Sequence, residues 1–247
     1  MPRASSAAAI FLSFFCFVGL ARAECSGSVY LTIDTGSMSQ AENIAATLNK
    51  HQVKATFFLS NEKTVRGDYS LDPSWGDYWR ARVKEGHAFG SHTWRHWYFQ
   101  RDLKDDTIFY RAMDGSDRVR LTQKDFCAEL KKPGDVFEQM TDRKLDALWR
   151  APGGRLTAHA REWGAGCGFP RHVGWSDAGF LGDELPSEQF PNDMLLKRAL
   201  AKIKDGDILV MHLGIWSRKD PFAPMLDPLI AGLKQRGMCF ATLAAKS

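Results

Sequence analysis

The sequence predicts an α/β fold, a distorted and incomplete (β/α)7 barrel, on three observations. Seven short apolar runs alternate with helical segments, the pattern of a parallel sheet with helical crossovers. The 247 residues, 44% hydrophobic and 25% charged, are enough for one sizeable core. Polar side chains suited to chemistry fall at the C-terminal ends of the runs, where parallel barrels keep their active sites. An open doubly wound sheet is the alternative arrangement.

The elements follow in order. Residues 29–33 form a β-branched first strand. A helix over 39–51 puts Ala41, Ile44, Ala45 and Leu48 on one face. The second strand, 53–59, is rich in Phe. A short helix over 77–85 stops at Gly86. The third strand is 87–91 and the fourth 147–149, followed by a helix over 157–164. The fifth strand is 172–175. A helix over 192–204 carries Met194, Leu195, Ala199, Leu200 and Ile203. The sixth strand is 207–211. A helix over 225–236 ends at Gly237, and the seventh strand is 238–242. Residues 61–80 and 99–135 are polar and irregular, and are expected as insertions on the barrel rim.

The first 23 residues do not belong to this pattern. Arg3, an apolar stretch over 8–20 and Ala21-Arg22-Ala23 form a secretory leader with cleavage after Ala23. The expected organisation is a leader over 1–23 and a single domain over 24–247, secreted or periplasmic, with no stable membrane anchor after cleavage. Arg3 and Arg22 leave with the leader and no acid does, so the net charge falls from +4 to +2. No basic run exceeds pairs such as Lys131-Lys132, which argues against nucleic acid as a partner. Cys25, Cys127, Cys167 and Cys239 remain, an even number without Cys-x-x-Cys spacing, so disulfides are expected. The first and last strands of a seven-stranded barrel meet at its seam. Cys25 and Cys239 are therefore expected to pair, with Cys127–Cys167 as the second bridge.

The strand ends carry the candidate site. Strand one ends on Asp34, strand three on His92 with His96 four residues on, strand four on Arg150, strand five at Trp175-Ser176-Asp177, and strand six on His212. The two histidines share one face if their segment is helical, and both rings then reach one cation. Trp94, Trp97 and Tyr98 around them are either packing or a wall on which a sugar stacks.

These residues resemble the polysaccharide deacetylases, the family of the NodB homology domain, whose five motifs occur in a fixed order. Thr32-Ile33-Asp34-Thr35-Gly36 stands where the family has Thr-Phe-Asp-Asp-Gly. His92-Thr93-Trp94-Arg95-His96 matches its His-Ser/Thr-x-x-His. Arg150-Ala151-Pro152-Gly153-Gly154 matches its Arg-x-Pro, Trp175-Ser176-Asp177 its fourth motif, and Val210-Met211-His212 its fifth. The resemblance implies a distorted β/α barrel and a hydrolase that removes N-acetyl groups from an amino-sugar polymer. It implies a divalent metal, zinc first, on His92 and His96. Asp34 would be the base, Arg150 its partner, His212 the acid and Asp177 the group that keeps His212 charged. Trp175 and Val210 would shape the acetyl pocket. A backbone N–H after Pro152 would meet the oxyanion, and Gly153-Gly154, lacking the family's bulky aromatic, would leave that lobe open.

Thr35 departs from the pattern, because the family's second Asp is a metal ligand. Three readings follow. Asp34 itself ligates the metal, directly or through water; Asp183 or Asp177 swings in; or the metal is lost and the protein only binds carbohydrate. Asp-Thr also stands in relatives such as the deformylase of lipid-linked formamido-arabinose, so deformylation or deacetylation of a lipid-linked sugar is the alternative activity.

Overall fold

The computed structural model describes Met1 and residues 25–245. The leader expected over 1–23 lies, apart from Met1, outside the described residues. Among those described, no helix is long and apolar enough to cross a membrane.

All seven expected strands form, in one curled parallel sheet. They are β1 (Gly27–Asp34), β2 (Thr56–Leu59), β3 (Ala88–Ser91), β7 (Leu148–Trp149), β8 (Arg171–His172), β9 (Ile208–His212) and β10 (Met238–Phe240). The order is β10-β1-β2-β3-β7-β8, with β9 also paired to β1. β1 is long enough to take β10 and then β2 along one edge, with β9 on the other. Its residues 27–29 pair with β10 and 30–34 with β9. Between β8 and β9 the ladder is broken, and irregular chain bridges the gap. The Ser176 N–H donates to Ile208 O at 3.0 Å, and Phe180 pairs with Val210. This is the incomplete barrel that the alternation predicts.

Helices α1 (Ala41–His51), α2 (Gly76–Lys84), α5 (Asn192–Lys202) and α6 (Leu226–Gln235) cover the outer face. The apolar face of α1 is buried as expected, with Ile44 and Leu48 fully enclosed. α4 (Ala158–Gly166) starts at Thr157, whose hydroxyl accepts the Ala160 N–H.

The segment 99–135 differs from its irregular expectation. It holds an antiparallel meander, β4 (Tyr98–Asp102), β5 (Ile108–Arg111) and β6 (Arg118–Leu121), and the start of α3 (Gln123–Thr141). Pro133-Gly134 reads as a helix stop, yet α3 runs through it. A Thr122–Asp125 capping box starts the helix, and Phe126, Leu130, Pro133 and Phe137 are buried along it. The burial of this face offsets the lost backbone bond at the proline. Phe99, Tyr110, Phe126, Trp149 and Trp163 form a second core under the meander.

Both expected disulfides are present. Cys25–Cys239 has Cα atoms 5.6 Å apart across 214 residues of chain, at the β1–β10 seam. Cys127–Cys167 ties α3 to the end of α4, with Cα atoms 5.1 Å apart.

Candidate active site

The ladder register places the polar residues before any side chain is considered. Asp34 is the direct partner of His212 across β1 and β9. Ser91 pairs with Trp149 across β3 and β7, so His92 and Arg150 leave the sheet side by side. Asp34, His92, His96, Trp175, Val210 and His212 all line one cavity of about 270 Å³ at the C-terminal ends of the strands.

Arg150 lies behind this wall, fully buried. It donates to Asp34 Oδ1 at 2.8 Å, and to the carbonyls of Val173 and Gly174 at 3.1 and 2.9 Å. Burial alone would push the Asp34 carboxyl up. The Arg150 guanidinium, with His92 and His212 beyond it, instead holds it below the ordinary carboxylate value. Asp34 is therefore ionised at neutral pH, with Oδ1 engaged and Oδ2 3.4 Å from His92 Nε2.

His92 and His96 do meet, but not on a helix. Thr93 and His96 adopt left-handed φ values of 66° and 56°, and the loop between the rings is non-helical. Their Nε2 atoms lie 3.1 Å apart. His92 Nδ1 is 2.9 Å from Arg150 O, and a carbonyl only accepts, so Nδ1 carries the proton. His96 Nδ1 is 3.0 Å from Glu62 Oε1, which assigns its proton in the same way. Burial pushes His92 down to about 4, so its ring is neutral at pH 7. Two ring nitrogens facing each other at this distance share either a proton or a cation. The spacing is close to the ~3.3 Å that two ~2.05 Å bonds at a tetrahedral angle would leave. The pair thus fits two nitrogen ligands of one cation. Among the described residues, no group of three or more His, Cys, Asp or Glu is arranged to hold a metal ion.

On the other side of the cavity, His212 Nδ1 lies 3.2 Å from both Asp183 carboxylate oxygens, and its backbone N–H donates to Asp183 at 2.7 Å. Its Nε2 lies 3.9 Å from Glu184. Burial works against the charge on His212, but Asp183, then Asp34 and Glu184, raise it to about 10. Burial pushes the Glu184 carboxyl up as well.

Three sequence expectations are corrected by the geometry. Asp177 does not reach His212. It is exposed, beside Lys202, Lys204 and Asp207, at the N-terminal end of β9. The chain runs from there parallel to β9, and Asp183 arrives at the C-terminal end. Trp94 does not line the cavity; it packs on the core, with Lys132 over its ring at 4.1 Å. The lobe at Gly153-Gly154 is not open, because rings from elsewhere fill it. A Cβ on Gly153 would lie 2.6 Å from Tyr98, and one on Gly154 2.9 Å from Trp175. Pro152 is buried beneath this turn, and Gly153 meets the cavity.

Glu62, Glu184 and Phe180 were not singled out by the sequence reading. Glu62 sits three residues past strand two, masked by the uncharged Ser60 and Asn61. Glu184 adjoins Asp183 in Gly182-Asp183-Glu184-Leu185, a signal that was available.

A family model described as polysaccharide deacetylase matches residues 21–171. The chain belongs to the polysaccharide deacetylase family. It is 29% identical over 216 residues to an uncharacterized 30.6 kDa protein of Geobacillus stearothermophilus, covering 87% of this chain and 69% of that protein. It is 25% identical over 224 residues to the peptidoglycan-N-acetylglucosamine deacetylase PgdA of Listeria monocytogenes, covering 90% of this chain but only 39% of PgdA. Among solved structures, the Bc1960 peptidoglycan N-acetylglucosamine deacetylase superposes with a TM-score of 0.66 at 21% identity, covering 87% of this chain and 86% of that one. BA3943 of Bacillus anthracis, described as a CE4 family pseudoenzyme, gives 0.64 at 22% identity, covering 88% of this chain and 64% of that one.

Proposed function

We propose that the protein is an exported, metal-dependent hydrolase that removes N-acetyl groups from an amino-sugar polymer. The observation that carries this reading is the convergence on one cavity of an ionised Asp34, a charged His212 and two facing imidazoles. The two disulfides and the leader pattern support export.

His92 Nε2 and His96 Nε2 would hold the cation, with Asp34 Oδ2 beside them. When bound, a divalent ion polarises an amide carbonyl and acidifies water. Asp34, aimed by Arg150, accepts the proton of the attacking water. The backbone N–H of Gly153 faces the developing oxyanion. Trp175, Val210 and Phe180 enclose the acetyl methyl. His212, kept charged by Asp183, gives its Nε2 proton to the departing amine. Pairing a depressed carboxylate with a raised imidazolium is what separate base and acid roles require.

Thr35 favours a second reading, a carbohydrate-binding relative without turnover. One experiment separates the two. The purified protein is analysed for bound metal and assayed for acetate release from peptidoglycan, chitin oligomers, an N-acetylated exopolysaccharide and a lipid-linked amino sugar. Zinc-dependent release from a polymer is expected. Carbohydrate binding with no release from any substrate, at full metal loading, would overturn the enzymatic reading.

A further inference from the structure

We infer that Glu62 takes over the work of the carboxylate missing at position 35, by holding His96 and supplying the negative charge beside the two imidazoles. This rests on the metal-dependent reading above. Its Oε2 accepts the Thr35 hydroxyl proton at 2.7 Å, while Thr35 Oγ1 accepts the Ser60 N–H at 3.1 Å. Its Oε1 accepts His96 Nδ1–H at 3.0 Å. Thr35 is therefore a bridge: it ties a carboxylate from the loop after β2 to the place where the family carries its own.

The histidine loop needs such a clamp. Thr93 and His96 hold positive φ values of 66° and 56°, a conformation that side-chain-bearing residues adopt at a cost. The 60–62 segment stitches this loop down at three points. Ser60 Oγ donates to His92 O at 2.7 Å, the Asn61 N–H donates to Trp94 O at 3.0 Å, and Glu62 takes the His96 ring. With the Nδ1–H of His96 committed to Glu62, Nε2 is the ring nitrogen left to face His92. A carboxylate behind a ligating histidine fixes its tautomer and raises its basicity. Glu62 is a positioning residue in this account, acting through His96. Neither Asp183 nor Asp177 fills the role, since the first is spent on His212 and the second lies at the other end of β9.

Two measurements test this without relying on turnover. Zinc affinity is read by competition with a coloured chelator in the wild type, Glu62→Gln and Thr35→Asp/Glu62→Gln. The His96 tautomer is read from long-range 1H–15N NMR couplings in the zinc-free wild type. Glu62→Gln should bind zinc about 10–100-fold more weakly, the usual cost of losing an outer partner. Adding Thr35→Asp should recover most of that loss, because it returns a charged oxygen beside the two imidazoles. The wild-type tautomer should be Nδ1–H. Equal affinities for wild type and Glu62→Gln overturn the inference alone. A wild type that binds no zinc overturns the metal-dependent reading and this inference with it. If Glu62→Gln does not fold, the tautomer decides: a proton on Nε2 of His96 overturns the proposal, and one on Nδ1 supports it.

Discussion

His92 and His212 end strands of the same sheet, with β1 and β2 between them, and both face one cavity. Their chemistry is opposite. His92 is pushed down to about 4 and His212 is raised to about 10. Burial disfavours the charged ring in both, so burial is not the difference. What differs is the partner of Nδ1. In His92 it is the neutral carbonyl of Arg150, with the cationic Arg150 side chain close by. In His212 it is the Asp183 carboxylate, with Glu184 near Nε2. One strand end therefore offers a lone pair and the other a proton, and the choice is made by whichever group stands behind the ring.

The largest test of this contrast acts on Asp34, which stands between the two rings. Asp34→Asn should lower turnover by about 10²–10⁴-fold, the range for removing a positioned base. Zinc content then sharpens the role. Retained zinc with lost turnover assigns Asp34 to the proton alone; loss of both assigns it to the ion as well.

The next variant makes His212 resemble His92. Asp183→Asn removes the charge behind the ring, so the His212 pKa should fall from about 10 toward its ordinary value. The alkaline limb of the kcat/KM profile should move down by at least one pH unit, with activity at pH 9 falling more than activity at pH 6. An unmoved limb would mean that His212 is not the acid.

Stability should follow the same asymmetry. A ring whose folded pKa is raised stabilises fully below the unfolded value near 6.5, and loses that contribution as pH climbs through about 10. The loss is on the order of a few kcal/mol, since each pKa unit is about 1.4 kcal/mol. Denaturant midpoints should drop between pH 7 and 10 in the wild type, and drop less in Asp183→Asn. A pH-independent difference between the two proteins would contradict this.

The smallest effects should separate two tryptophans that the sequence offers as substrate contacts, one in an acetyl pocket and one in a sugar-stacking wall. Trp175→Ala should raise KM for a glycan several-fold, because Trp175 lines the cavity. Trp94→Ala should leave KM within about twofold and act on thermal stability instead, because Trp94 packs on the core. A larger KM effect at Trp94 would restore the sugar-stacking wall.

Most of the scaffold was legible because its signals are local. Strand–helix alternation located all seven strands, and the barrel seam followed from the count and paired Cys25 with Cys239. α3 was not legible, because Pro133-Gly134 is a local stop that burial of Phe126, Leu130 and Phe137 overrides. In the site, the residues at strand ends or within motifs close after them, His96 and Trp175 included, were found, and the acids farther along the loops were not given their roles. Asp177 was assigned to His212 by resemblance and Asp183 was named only as a candidate metal ligand, whereas the path of the chain beside β9 decides which acid reaches His212. Glu62 depends on a contact with Thr35 across 27 positions, and nothing local announces it.

The filling of the turn at Gly153 has an evolutionary consequence. The ring beside that turn comes from Tyr98, at the base of the meander, and a side chain on Gly153 would collide with it. Positions 98 and 153 therefore cannot both be large. Among homologues, a bulky residue after the proline of the third motif should accompany a small residue at position 98 or the loss of the meander. The inserted sheet and the turn should then vary together, and grafting either alone into a relative should fail where grafting both succeeds.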